Sequence, residues 1–212
     1  MIRWLGHAAF LITTSAGTRI ITDPYTPSAT IAYSPIEESA DIVTVSHGHG
    51  DHSNVAAVRG NPELVRATIE AKGMKFRAIP SYHDRAQGKE RGNNTIFCFE
   101  ADGLSLCHLG DLGHPLDGNQ VTEIGKVDVL LIPVGGNYTI DAIVASEVCE
   151  QLKPNVVIPM HFRNEKCTSP IVGVDEFLKD NKNVTRLETS DIEVRQTALP
   201  KDRQIIVPKP AN

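Results

Sequence analysis

The sequence predicts a mixed α/β (α+β) fold, an αβ sandwich in which short strands outnumber helices. Apolar and β-branched runs bounded by Gly, Pro, Asn and Asp recur from end to end, the pattern of many short strands with a few helices between them. Two pairs of runs are joined by tight-turn residues, which requires antiparallel pairing and argues against a doubly wound parallel sheet. Three further runs are continuously apolar, as strands buried on both faces are. No linker or repeat interrupts the pattern, so residues 1–212 are expected to form one domain.

In chain order, residues 2–13 and 18–22 form the first expected hairpin, turning at Ser15-Ala16-Gly17. Residues 41–46 are the first buried strand, and short helical segments are expected after Ser53. Residues 95–100 and 104–109 form the second hairpin, turning at Asp102-Gly103. Residues 128–133 and 155–160 are the other two buried strands. Between them, Ile140, Ile143, Val144 and Val148 recur at helical spacing over 139–152, with Thr139 as N-cap and Lys153-Pro154 as the stop. A short helix is expected over 174–180.

With 212 residues, of which 41% are hydrophobic and 22% charged, the chain is long enough to bury a core without disulfides. Cys98, Cys107, Cys149 and Cys167 are widely spaced and form no C-x-x-C pair, which suggests a reducing, cytoplasmic location. The N-terminal MIRWLGHAAFLITT is interrupted by His7 and lacks a cleavage pattern, so no secretory signal is expected. No stretch approaches a membrane span. A net charge of −5 with scattered basic residues argues against a nucleic-acid partner and leaves a small molecule as the expected substrate.

The strongest chemical signal is Ser46-His47-Gly48-His49-Gly50-Asp51-His52, directly after an apolar run. Imidazole and carboxylate are the donors that suit zinc and similar divalent ions, and alternate residues after a strand project toward one point. Gly48 and Gly50 let the backbone bend around it. A solvated polar loop is the competing explanation, and the agreement of strand, glycines and donor types weighs against it.

The run matches H-x-H-x-D-H and resembles the signature of the metallo-β-lactamase superfamily. That resemblance implies a four-layer αββα sandwich and three further donors from later strand ends. His83 in Ser81-Tyr82-His83-Asp84, Asp111 in His108-Leu109-Gly110-Asp111, and His161 in Ile158-Pro159-Met160-His161 occupy those places. By the resemblance, His47, His49 and His83 hold one divalent ion, Asp51, His52 and His161 hold a second, and Asp111 bridges them. Zinc is the first expectation, with manganese, iron or nickel also suited to such donors. A hydroxide between the ions would be the nucleophile, since metal binding lowers the pKa of water to about 7. Asp51 would orient it or relay its proton, so replacing Asp51 with Asn should lower turnover more than substrate affinity.

Similarity also runs through Trp4-Leu5-Gly6-His7-Ala8, Ile21-Thr22-Asp23-Pro24 and Leu131-Ile132-Pro133-Val134-Gly135-Gly136. It looks like the compact branch that includes L-ascorbate-6-phosphate lactonase and, more distantly, N-acyl-phosphatidylethanolamine phospholipase D. In relatives a similar aspartate supports the metal loop from outside the ligand shell, which suggests that role for Asp23; a turn-initiating Asp-Pro is equally consistent. His7 is a candidate substrate contact at the pocket edge or a satisfied core histidine. His114 is a candidate to bind substrate or protonate a leaving group, or a loop histidine. His108 reads as structural. Tyr138 and Arg163 are further candidates for contact with an anionic group, with a solvated surface position the simpler reading for both.

The expected activity is metal-dependent hydrolysis of a small ester, lactone or phosphodiester. The alternatives are a nuclease or phosphodiesterase acting on nucleic acid and a non-catalytic metal-binding protein of the same fold. A diiron redox protein is disfavoured, because redox relatives carry Glu where this chain has His49.

Overall fold

The turn expected at Ser15-Ala16-Gly17 is present in the computed structural model, which describes residues 1–179 and 181–211, but it is not the first. Residues 2–13 break at His7-Ala8 into β1 (Ile2–Gly6) and β2 (Ala9–Thr13) before β3 (Arg19–Thr22), so the expected hairpin is a three-strand antiparallel meander. Then come β4 (Ile42–Thr44), a 3₁₀ turn at Val55–Ala57, β5 (Glu63–Val65), β6 (Ile69–Ala71), β7 (Met74–Tyr82), β8 (Asn93–Ala101) and β9 (Leu104–His108). Helix α1 (Gly118–Ile124), β10 (Val129–Pro133), α2 (Ala142–Leu152), β11 (Val156–Met160), α3 (Asp175–Leu178), β12 (Val184–Arg186), β13 (Asp191–Ile192) and β14 (Gln204–Val207) complete the order.

The strands form two sheets, as the mixed α/β expectation requires. One runs β13-β1-β2-β3-β4-β5, and the other runs β12-β14-β11-β10-β9-β8-β7-β6. In the second sheet β9 to β12 and β14 pair in parallel, while β6 to β9 pair antiparallel, so the two kinds of pairing meet at β9. The three continuous apolar runs are β4, β10 and β11, every residue of which is buried.

Side-chain alternation along the first sheet divides its residues between two clusters. Trp4, Phe10, Ile12 and Ile20 join Ile79, Phe97 and Leu131 of the second sheet in one continuous core, to which the helices add Ile124, Val144, Val148 and Phe177. Leu5, Leu11, Ile21 and Val43 face the other way, onto Tyr25, Tyr33, Ile36 and Val58. Among the described residues, the layer over that face is loop and the 3₁₀ turn. Each fully buried large side chain contributes about 1.5–3 kcal/mol, which makes the two faces of the first sheet the scaffold of its strand ends.

Two local expectations are corrected. The N-cap of α2 is Asp141, whose carboxylate accepts the Val144 N–H at 3.0 Å, rather than Thr139. The helix therefore starts later, and Ile143 points outward at 73% exposure. Its stop is as expected: Lys153 adopts a left-handed conformation ahead of Pro154. Helix α3 is shorter than the expected 174–180, of which residue 180 lies outside the described residues. No helix among the described residues is long and apolar enough to cross a membrane.

Candidate metal centre

The candidate donors all follow strand ends. His7 comes directly after β1, Asp23 after β3, His83 after β7 and His161 after β11, while the His47–His52 loop follows β4 and Asp111 follows β9. Three of these residues, His7, Asp23 and His161, have positive φ angles of 51°, 38° and 51°. A non-glycine residue in that region is strained and persists only where its surroundings hold it. At His7 the surroundings are specific: its carbonyl accepts Trp4 Nε1–H at 3.0 Å and the His161 N–H at 3.2 Å. Gly6 before it packs so closely on Tyr33 that a Cβ would lie 2.6 Å from the ring.

Asp111 is the centre of the arrangement. Its Oδ2 lies 3.1 Å from His83 Nε2, 3.2 Å from His52 Nε2, 3.3 Å from His161 Nε2 and 3.9 Å from His47 Nε2. Around it the donors fall into two main groups, His47, His49 and His83 in one and His7, Asp51, His52 and His161 in the other, with Asp23, His47 and His52 forming a third that overlaps both. The two main groups contain the residues of the two expected ligand sets, with His7 added to the second.

The buried polar atoms test whether cations fit. His52 Nε2 and Asp111 Oδ1 are buried without a hydrogen-bond partner. Although 3.2 Å from Asp111 Oδ2, His52 Nε2 makes no well-directed hydrogen bond, so the contact is one of charge. Buried polar groups are seldom left unmatched, and converging imidazole nitrogens around a carboxylate are the chemistry that divalent cations satisfy.

Surrounding residues hold the donors in place. Asp23 is fully buried and accepts the Ser46 N–H at 2.7 Å and the Ser46 hydroxyl at 2.5 Å, with His52 Nδ1 at 3.0 Å. Ser46 Oγ in turn lies 2.9 Å from His47 Nδ1, so one carboxylate orients imidazoles of both groups. Sequence reading missed Asn94, whose side chain accepts the Asp111 N–H at 2.9 Å and donates to the Leu109 carbonyl at 2.9 Å. It also missed Asp84, which ties down the loop after His83 by accepting the N–H groups of Ala86, Gly88, Glu90 and Arg91. The glycines at 88 and 92 were the sequence signal for such a loop.

His108 is structural: its Nε2–H donates to the Ala8 carbonyl at 2.9 Å and its Nδ1 accepts the Gly110 N–H at 3.1 Å. His114 joins neither donor group. Its Nε2 accepts the Tyr82 N–H at 3.1 Å and its Nδ1 donates to the Pro115 carbonyl at 2.7 Å, which leaves no ring nitrogen free for substrate. His7 Nε2 lies 3.3 Å from Asp51 Oδ2, and its ring packs 4.1 Å from that of His161. Arg163 is exposed, while Tyr138 lies beneath Arg91.

Electrostatics divide the histidines. Burial pushes His7 and His47 down to about 4. Burial also opposes charge on His52 and His83, but Asp111 outweighs it and holds both above the ordinary histidine value. Asp111 itself would be raised by burial, yet His161 and His52 hold it well below the usual carboxylate range. For Asp51 the hydrogen bond from His7 and the charge of His52 overcome burial in the same direction. The carboxylates are therefore ionised at neutral pH, as cation binding requires.

Residues 1–161 match the Beta-lactamase superfamily domain. A UPF0173 metal-dependent hydrolase of Thermococcus onnurineus is 32% identical, with 90% of this chain and 97% of the relative covered. Another from Archaeoglobus fulgidus is 31% identical, with 91% and 94% covered. Among solved structures, a Thermotoga maritima protein described as a candidate Zn-dependent hydrolase of the metallo-β-lactamase superfamily matches with a TM-score of 0.81 and 37% identity, covering 98% of this chain and 97% of that one.

Proposed function

The chain belongs to the metallo-β-lactamase superfamily, and from that premise we propose that it is a metal-dependent hydrolase of a small ester, lactone or phosphodiester with two divalent cations, zinc first among them. The observation that carries this reading is the convergence of four imidazoles on Asp111 Oδ2. His47, His49 and His83 would hold one ion, Asp51, His52 and His161 the other, and Asp111 both. Cations bound there supply Lewis-acid polarisation of the scissile group and bring the pKa of a water to about 7.

The remaining steps belong to the chain. Asp51 is the one carboxylate of the set with substantial access, its side chain 33% exposed, so it can exchange a proton with the attacking water and the leaving group. His7 is 2% exposed and donates from Nε2 to Asp51 Oδ2, which fixes the carboxylate's orientation. His7 would then act as a positioning residue, which favours the buried-histidine alternative over a substrate contact. Asp23 fixes His52 and, through Ser46, His47. Hydrolysis adds water across the scissile bond, giving an acid and an alcohol.

The continuous core supports a single domain for the chain, and the cysteine spacing supports a cytoplasmic location. The test is elemental analysis of the purified protein beside Asp111→Ala and His83→Ala, with hydrolysis assayed before and after chelation. The expected result is close to two ions in the parent, fewer in both variants, and activity that chelation removes. A parent that takes up no metal, or hydrolysis that survives chelation, overturns the proposal.

A further inference from the structure

His83 faces a second environment besides Asp111: it lines a cavity of about 460 Å³ between the loop after β7 and the segment before α2. One wall is the 84–91 loop, held rigid because both oxygens of Asp84 are taken up by four backbone N–H groups at 2.7–3.0 Å. The other wall carries Tyr138. Across the cavity the half-buried guanidinium of Arg91 sits 4.7 Å above the centre of the Tyr138 ring.

The charges on these walls are not equivalent. Arg85 is spoken for by Asp141, 3.7 Å away, and both are exposed. The Asp84 carboxylate is turned inward onto its own loop. Glu90 is exposed. Arg91 has no ion-pair partner among the described residues. It is thus a cation without a counter-ion, pinned on an aromatic face, in a cavity whose lining includes a candidate metal donor. An aromatic plate beneath a guanidinium restrains its plane while leaving its N–H edge free, the geometry in which arginine takes a carboxylate or phosphate through paired hydrogen bonds.

We propose that this cavity is the substrate subsite and that it selects substrates carrying an anionic group, a carboxylate or a phosphate, which Arg91 binds while the scissile bond lies beyond His83. The proposal rests on the hydrolase reading above and adds a substrate class to it. Tyr138 acts through Arg91, as the surface that holds the guanidinium.

The experiment uses the metal-loaded protein and the variants Arg91→Ala and Arg91→Lys, with metal content measured in each. Three aryl esters of similar length serve as probes, one uncharged, one a dicarboxylic half-ester and one carrying a phosphate. The parent is expected to prefer an anionic probe by kcat/KM, and the two anionic probes separate carboxylate from phosphate recognition. In R91A that preference should fall about ten- to hundredfold, mainly through KM, the size expected for a hydrogen bond to a charged group. R91K should keep part of it, and both variants should keep the parent's metal content. Inorganic phosphate binding, measured by calorimetry, separates the two readings. A parent that hydrolyses no probe but binds phosphate at least tenfold more tightly than R91A would sink the hydrolase reading and leave the anion subsite standing. A parent without anionic preference, or equal phosphate binding by parent and R91A, overturns the subsite.

Discussion

His7 and Asp51, 44 residues apart in sequence, meet with Nε2 and Oδ2 3.3 Å apart at the edge of the donor cluster. The contact is available only because the strained turn after β1 directs a buried imidazole toward the loop after β4. His7→Ala should lower turnover about ten- to hundredfold, as loss of a residue orienting a ligand does. His7→Gln, which retains a donor, should recover part of it, and elemental analysis should find the parent's metal content in both. Loss of an ion in H7A would make His7 a ligand instead.

Asp23→Asn replaces a carboxylate that faces three donors. The amide presents an N–H group where His52 Nδ1 or the Ser46 hydroxyl now points. Metal affinity should fall about ten- to hundredfold, read by competition with a chelator, and the variant should unfold at lower denaturant. Unchanged affinity would limit Asp23 to a turn residue.

The chelated protein should lose stability as pH falls from 6.5 to about 4. Over that window the unfolded chain takes up protons on its histidines, with an ordinary value near 6.5, while buried His7 and His47 stay neutral down to about 4. Their contribution is complete above 6.5 and disappears through the folded value. His52 and His83 act oppositely, stabilising below 6.5 and losing that contribution as pH rises. The difference between parent and His7→Gln isolates one group, with a slope approaching about 1.4 kcal/mol per pH unit. Denaturant titrations across that window measure it, and a flat difference rejects the assignment.

Gly110→Ala should destabilise the protein by about 2–4 kcal/mol, combining left-handed strain with overpacking. The residue has φ +56°, and an added Cβ would press on Asn94 Oδ1 and lie 2.6 Å from Ser46 Cβ. Because Asn94 Oδ1 accepts the Asp111 N–H, the same change should weaken metal binding. Urea unfolding with and without added metal separates the two effects, and a stability equal to the parent's would contradict the packing.

Much of the centre was legible because donor chemistry is local in sequence: His47 to His52 fall within one loop, and His83, Asp111 and His161 each end an apolar run. The buried strands β4, β10 and β11 were legible for the same reason, since burial on both faces writes a continuous run. The positive φ angles of His7, Asp23 and His161 were not, because tertiary packing rather than residue type imposes them. Asn94 and Asp84 escaped because their roles lie in backbone N–H groups, which no side-chain pattern reports. Thr139 and Asp141 both offer capping side chains, and only the entry angle of α2 chooses between them. Cys98 and Cys107, nine residues apart, are in-register neighbours across the β8–β9 hairpin with sulfurs 3.4 Å apart.

The position of β14 bears on how the protein is made. All the donors lie at or before His161, yet β14 follows later and inserts between β11 and β12. During synthesis the ribosome therefore releases every candidate donor while β11 still presents an unpaired edge. The nascent chain passes through a stage in which this edge is open to pairing with other strands, and only the late arrival of residues 204–207 closes it.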